Sequence, residues 1–459
     1  NLKFLDMNRE EKISFFFLLL LGGLNISSQG LMIPLYSILE KEFRLSHSQM
    51  GLVSSGFILL IVPSLLFWGY LADRYSRKKL LISGCFIWST TVYATIFART
   101  YHQLLFLRVI DGIGVGCFFP IAFSMTADLF EPEDRGKAGA MLYVLLGIAG
   151  VTGPAVASIY GPIYGWRFPF KIVGIFGWIA GLLAFFLMKE PKRAAKEKEL
   201  EDLLEKGGIY SYKIKKSDLK VLYKVKSNLF LLLQGIPGCI PGGVIGSWMI
   251  TFLVIVEKFP TLWATLFSAA FFAGQGAGNL IGGIIGDAMS KRKGSGWRAC
   301  ISIISILGGM ALFIFIFTRP HLPAITIQGN ISEIGPFISF LLHNHKLGIY
   351  FDLLFLTGVI NGMCNPNWYA IMQNINLPEV RSTVSAFNNM TDTVGRGVAP
   401  YLGGVLADIV GLKQALLLVS LFWLFCAILW VPLIIKVPED EKTVRKILSE
   451  RKKKLEQEG

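Results

Sequence analysis

A short cationic motif occurs twice in this chain and divides it into halves. The first copy runs from Gly69 through Asp73, Arg74, Ser76 and Arg77 to Lys78 and Lys79; the second runs from Gly283 through Asp287, Ser290, Lys291 and Arg292 to Lys293. Glycine, carboxylate, serine and three cations recur at a single offset of 214 residues. Each copy closes an apolar stretch long enough to cross a hydrocarbon core, which takes about 20 helical residues. A duplicated helical bundle is therefore expected.

Further matches lie 246 residues apart: Pro132, Glu133 and Arg135 with Pro378, Glu379 and Arg381, Pro154 with Pro400, and Gly165 and Arg167 with Gly411 and Lys413. The change of offset places 32 extra residues in the second half, and the weakly apolar stretch from Arg319 to Lys346 is read as an enlarged loop. Hydrophobic residues make 53% of the chain and only 17% are charged, a balance outside that of soluble domains. Twelve spans are predicted, near 13–38, 49–72, 80–99, 103–129, 138–161, 167–188, 229–256, 262–287, 298–318, 348–374, 382–408 and 413–435. Continuous apolar runs of this length predict helices and not a barrel, whose strands alternate over about ten residues. The expected fold is all-α, with twelve transmembrane helices in two pseudo-symmetric bundles of six.

On that topology, with cations near a span end counted with the adjoining segment, 34 of the 45 Lys and Arg residues fall on inner segments, nine on outer ones and two, Arg108 and Arg396, deeper inside spans. The bias puts both termini in the cytoplasm, and the plasma membrane is the expected location. The net charge of +14 is thereby explained by the inner face and its anionic lipid, so no nucleic-acid partner is expected. The first apolar run is long enough to span and lacks a small-residue cleavage site, so no cleavable leader is expected. All six cysteines fall in predicted spans without CxxC spacing, and the five histidines fall in outer segments. His343 and His345 lack nearby acids or thiols, so neither a metal nor another cofactor is implied.

Four regions follow: an N-terminal six-helix bundle over 1–189, a cytoplasmic linker with an amphipathic helix over 190–227, a C-terminal six-helix bundle over 228–437, and a basic tail over 438–459. The linker's apolar residues Leu200, Leu203 and Leu204 have helical spacing and stop at Gly207 and Gly208, and a second stretch around Leu219 and Leu222 has the look of an interfacial helix. Asn330, Ile331 and Ser332 form a glycosylation triplet on the outer side.

The stretch Gly69–Lys79 resembles the signature between helices two and three of the major facilitator superfamily, and Gly283–Lys293 resembles its weaker second copy. Arg108, Gly112 and Gly114 in span four are similar to the family's buried arginine and glycines, and Gly147, Gly150, Gly153 and Pro154 to its glycine-rich motif of span five. The resemblance implies a rocker-switch transporter acting by alternating access. It also implies a gate built on Gly69, Asp73, Arg74, Arg77, Asp128, Arg135, Asp287 and Arg381. In physical terms, Asp73 at the end of span two would face the positive end of span eleven near Arg381, and Arg77 would hold the Asp73 carboxylate through a charge-assisted bond.

Ala127 to Phe130, Gly165 to Arg167, and Asn365, Asn367 and Trp368 look like the Spinster-type lipid transporters. Those relatives carry an Asp-Arg pair in the first helix, where this chain has Ser28 and Gln29, and tend to carry an acid where it has Arg396.

Ionisable groups at membrane depth are costly and mark function by default. Arg108 and Asp111 are three apart and Asp392 and Arg396 four apart, so each helix can neutralise itself, or an arginine receives an anionic headgroup while an aspartate carries a proton. Asn25, Gln29, Gln234, Asn361, Asn365 and Trp368 are the candidate lining for a mixed polar and apolar substrate. Pro237 and Pro241, with their neighbouring glycines, predict a bent or broken span seven.

An intramembrane enzyme is disfavoured, because no nucleophile-base cluster or ligand set can be read. The expected function is secondary transport of an amphiphilic anion, a lysophospholipid or sphingolipid-like molecule, by a monomer that contacts membrane lipids and uses protons as a candidate coupling ion. A proton-coupled multidrug or organic-anion antiporter and an uncoupled lipid facilitator remain the alternatives.

Overall fold

The structure is a computed structural model that describes residues 8–130, 135–191, 225–318, 343–377 and 380–458, together with 337, 339 and 341. All regular structure among these residues is helical. The linker helices, the glycosylation triplet, Pro132, Glu133, Pro378, Glu379 and the Arg135 side chain lie outside the described residues.

The chain divides into two compact units, Asn1–Tyr212 and Lys213–Gly459. In the first, α1 runs over Arg9–Gly30 and resumes through a 3-10 turn as Tyr36–Phe43; α2 is His47–Arg74, α3 Arg77–Ala94, α4 Tyr101–Val115 continued by Phe118–Leu129, α5 Arg135–Tyr164 and α6 Arg167–Leu187. In the second, α7 is Lys226–Ile255, α8 Thr261–Lys293, α9 Trp297–Thr318, α10 His345–Gly362 continued by Cys364–Asn374, α11 Arg381–Val410, α12 Leu412–Trp430 and α13 Leu433–Glu458.

Local chemistry sets several starts. Asn8 accepts from the Glu11 amide at 2.8 Å while Glu11 accepts from the Asn8 amide at 3.0 Å, a reciprocal cap that satisfies two otherwise orphaned donors. Ser46 and Gln49 do the same for α2. Ser76 caps α3 immediately after the first cationic motif turns the chain.

Packing follows one pattern twice. In the first unit α1 packs on α5, α2 on α4, α3 on α4 and α3 on α6; in the second α7 packs on α11, α8 on α10, α9 on α10 and α9 on α12. Advancing six helices converts one set into the other, so the repeat seen in the motif extends through each bundle. Small residues permit the close crossings expected where lipid leaves no hydrophobic drive between helices. Gly278 of α8 is the clearest case: a Cβ there would stand 2.1 Å from the Val359 carbonyl oxygen of α10.

Ten of the predicted spans carry helices long and apolar enough to cross a membrane. The remaining two positions are filled by α8 and α11, which at 33 and 30 residues are long enough but more polar. Their polarity comes from Gln275, Asn279, Asn388, Asn389, Asp392 and Arg396, several of them in the candidate site. Large apolar side chains such as Phe186 and Leu280, exposed at 71% and 73%, form the surface that lipid would cover.

One expectation changes in part. Span seven is a continuous α7 over 30 residues despite Pro237 and Pro241, which are both buried where α7 packs on α11 and α12. The pauses fall instead at Leu31–Met32 in α1, Gly116–Cys117 in α4 and Met363 in α10. The basic tail is helical and continues as α13, with Val437 and Val444 buried and Asp440 accepting from the Ser227 amide of α7 at 3.1 Å.

Candidate functional site

In the first unit, Arg108 and Asp111 come from successive turns of α4 and are 2% and 1% exposed. The guanidinium donates to Asp111 Oδ2 at 2.6 Å and lies 4.2 Å from the centre of the Phe57 ring, while Thr91 of α3 donates to Asp111 Oδ1 at 3.4 Å. The pair neutralises itself, as i,i+3 spacing on a helix permits. Arg108 therefore presents a closed ion pair, with only its Nε lacking a partner.

Around the first hairpin, Arg77 is 3% exposed and binds Asp128 of α4, the Ser124 hydroxyl at 2.8 Å and the Pro191 carbonyl at 3.2 Å. Its backbone amide donates to Glu190 at 2.7 Å, and Ser76 donates to the same carboxylate. The guanidinium expected on Asp73 is thus engaged by Asp128 and Glu190, because the chain's turn at Tyr75–Ser76 points it into the bundle. Asp73 is exposed at the end of α2, and Arg74 lies over the Tyr70 ring at 4.1 Å. Gly69 faces Pro120 of α4.

The first-helix positions are neutral and internally bonded. Asn25 donates to the Val115 carbonyl at 3.3 Å, Gln29 donates to Asn25 at 3.1 Å, and the Ser28 hydroxyl donates to the Asn25 carbonyl at 2.8 Å. On the far side of the bundle, Trp166 and Arg167 both bind Glu42, at 2.5 and 2.7 Å, and Arg167 also donates to the Ile96 carbonyl at 2.9 Å. The Gly165–Arg167 motif thereby ties the start of α6 to the end of α1 and to the 3-10 turn, Thr95–Phe97, that follows α3.

In the second unit, Asp287 of the second motif pairs with Arg298 at the start of α9, and Arg298 also donates to Asn367 Oδ1 at 3.3 Å. Asn367 is fully buried and donates to the Gly282 and Met363 carbonyls at 3.1 and 3.0 Å, so it clamps α8 to α10. Above it stands a ladder of amides one turn apart: Gln275 donates to Asn361 at 3.0 Å, and Asn365 donates to Asn279 at 3.1 Å. Asn365 is exposed. Trp368, on the next turn, has a buried indole Nε1 with no hydrogen-bond partner.

Gln234 does not join this lining. It is buried, and its carbonyl accepts from Trp430 at 3.2 Å and from the Cys426 thiol at 3.5 Å, holding α7 to α12. Asp392 of α11 is half-buried and turned toward α7, where a Cβ on Gly235 would stand 2.6 Å from its Oδ1. Arg396, one turn on, is exposed, and its charge acts on the Asp392 carboxylate. Arg381 donates to the Asn376 carbonyl at 3.2 Å, and Asn376 is paired with Asn228 through reciprocal amide bonds of 2.7 and 2.9 Å.

The two aspartate-arginine pairs thus differ: α4 holds a sealed ion pair, whereas α11 sets a half-buried carboxylate facing a neighbouring helix beside an exposed guanidinium. Glu190, Arg298 and Glu42 are the participants missed in sequence. Arg298 could have been suspected as a cation opening a span eleven residues after Asp287; Glu190 and Glu42 carry no local signal.

Residues 16–331 and 331–457 match the sequence profile of the Major Facilitator Superfamily. The chain is similar to a sphingosine-1-phosphate transporter, SPNS2, of Danio rerio, with 28% identity over 229 residues, covering 48% of this chain and 44% of that protein. It is also similar to multidrug resistance protein 3 of Bacillus subtilis, with 29% identity over 154 residues, 34% of this chain and 30% of that protein. The matched stretches span less than half the length of these curated relatives. Among solved structures, a bacterial homologue of the human lysosomal transporter Spinster, in an inward-facing and unoccupied conformation, shares the fold with a TM-score of 0.75 at 17% identity, over 94% of this chain and 98% of that one. With the profile covering both bundles and the fold repeating six helices at a time, the chain belongs to the Major Facilitator Superfamily, as a multi-pass membrane protein.

Proposed function

We propose that the chain is a secondary transporter, acting as a monomer by alternating access, that carries an amphiphilic anion of the lysophospholipid or sphingolipid class. The observation that carries this reading is Arg396: an exposed guanidinium on a polar membrane helix, one turn from the half-buried Asp392 on which its charge acts. An exposed cation at that depth is costly and marks function by default, and an anion is the ligand it suits. The amide ladder of α8 and α10 and the unpartnered Trp368 indole supply neutral donors for a headgroup. The name of the zebrafish relative, a sphingosine-1-phosphate transporter, agrees in substrate charge and amphiphilicity. The excess of cations on the hairpins and tail favours a cytoplasmic position for both termini, with the plasma membrane as the site of action.

Asp392 is the proposed proton carrier. Flux of an anionic lysolipid into proteoliposomes should rise several-fold with an imposed pH gradient, and Asp392→Asn should remove the dependence on the gradient. Identical wild-type rates with and without the gradient would instead assign an uncoupled facilitator, the reading favoured by the neutral Ser28 and Gln29 of α1.

A further inference from the structure

The turn between α8 and α9 and the first half of α13 line an open pocket of about 700 Å³ within the second unit. Sites for small ligands commonly measure about 300–1,000 Å³. Four cations stand on its wall, Lys291, Lys293, Lys442 and Arg445, with Glu441 as the single acid. Arg445 donates to Glu441 at 2.6 Å, so that pair cancels. The three lysines are exposed and form no ion pair among the described residues.

The pocket is built into the fold. Gly296 in its floor lies so close to α13 that a Cβ would stand 2.2 Å from the Ile434 carbonyl oxygen. Asp440 ties α13 to the start of α7, and buried Val437 and Val444 seat the helix. The Lys293 ammonium rests 4.3 Å from the centre of the Trp297 ring, which fixes one cation against the wall.

We propose that this pocket binds a small, multiply phosphorylated anion, either the headgroup of a polyphosphorylated membrane lipid or a soluble counterpart. Each phosphomonoester carries about −1.5 to −2 charges at neutral pH, so two of them match three uncancelled lysines, whereas one carboxylate or phosphodiester leaves most of that charge unmet. Lysines suit the task as mobile point charges for phosphate. The site is separate from Arg396, and its binding is measured without transport.

Two arms test it on the full chain. Inositol trisphosphate is titrated against detergent-purified protein by calorimetry. In parallel, the protein in phosphatidylcholine nanodiscs is compared with nanodiscs carrying phosphatidylinositol bisphosphate, or phosphatidylserine at matched charge, by melting temperature. The double variant Lys293→Ala, Lys442→Ala should weaken binding at least tenfold. The control Arg292→Ala, Lys446→Ala removes the same charge outside the pocket and should change it less than twofold. Should the pocket double variant melt below the control, Lys442→Gln alone, at an exposed position, takes its place. Pocket-dependent binding in the soluble arm alone assigns a cytosolic anion, in the lipid arm alone a headgroup, and in both their shared chemistry. Equal losses in the pocket and control variants, or no saturable binding in either arm, would overturn the proposal.

Discussion

Arg396→Ala should lower affinity for an anionic lysolipid by about 10-fold to 100-fold while leaving the melting temperature of the purified protein unchanged. The magnitude follows from the loss of charge-assisted hydrogen bonds, about 1.5–3 kcal/mol, at about 1.4 kcal/mol per decade of affinity. The stability expectation follows from geometry: the guanidinium is exposed, and Asp392, the carboxylate its charge acts on, is only half-buried and faces α7. Arg396→Lys should recover part of the affinity, because it keeps the charge and loses the planar fork. Calorimetric titration with a lysophospholipid, and with a zwitterionic analogue as control, reads both effects. Equal loss for the zwitterion would remove Arg396 from headgroup recognition.

The opposite outcome is expected at Arg108. Arg108→Ala leaves the Asp111 carboxylate, 1% exposed, without its 2.6 Å partner, and breaking one side of a buried pair costs about 3–5 kcal/mol. The variant should melt several degrees lower. Replacing both members, Arg108→Leu with Asp111→Leu, should recover most of the loss, since two apolar side chains avoid the desolvation that the pair must overcome. Thermal denaturation in detergent distinguishes the cases. A singly substituted Arg108 variant that melts like wild type yet fails to bind anion would move Arg108 from the scaffold to the site.

The contrast between these two arginines shows where sequence reasoning stops. Both sit in apolar spans beside an aspartate three or four residues away, and spacing alone treats them alike. What separates them is the neighbouring helix: Phe57 and Thr91 close over the α4 pair, whereas on α11 the carboxylate is half-buried toward α7 and the guanidinium is exposed. The helices themselves were legible because a membrane span must satisfy every backbone donor within itself, which forces long apolar runs that need no tertiary information. The duplicated hairpins were legible as well, because topology concentrates cations at turns.

Partners were not. Arg77 finds Asp128 and Glu190 through packing of distant helices, and local spacing pointed to Asp73 instead. Gln234 looked like lining among polar residues, but its carbonyl is taken by Trp430 and Cys426 of α12. The prolines of α7 suggested a bend or a break, and of these the break is absent: burial against α11 and α12 accompanies an unbroken helix. Each miss concerns which face of a helix meets which neighbour, information that a period of 3.6 residues narrows without naming the partner.

The account rests on two homologous six-helix bundles whose cationic hairpins lie on one side of the bilayer. Single cysteines introduced as Lys79→Cys and Lys293→Cys, in a background with the native cysteines replaced, can be exposed to a membrane-impermeant maleimide on intact cells and on inverted vesicles. Both positions should react in inverted vesicles and be protected in intact cells; reaction of the two from opposite faces would contradict the duplicated topology.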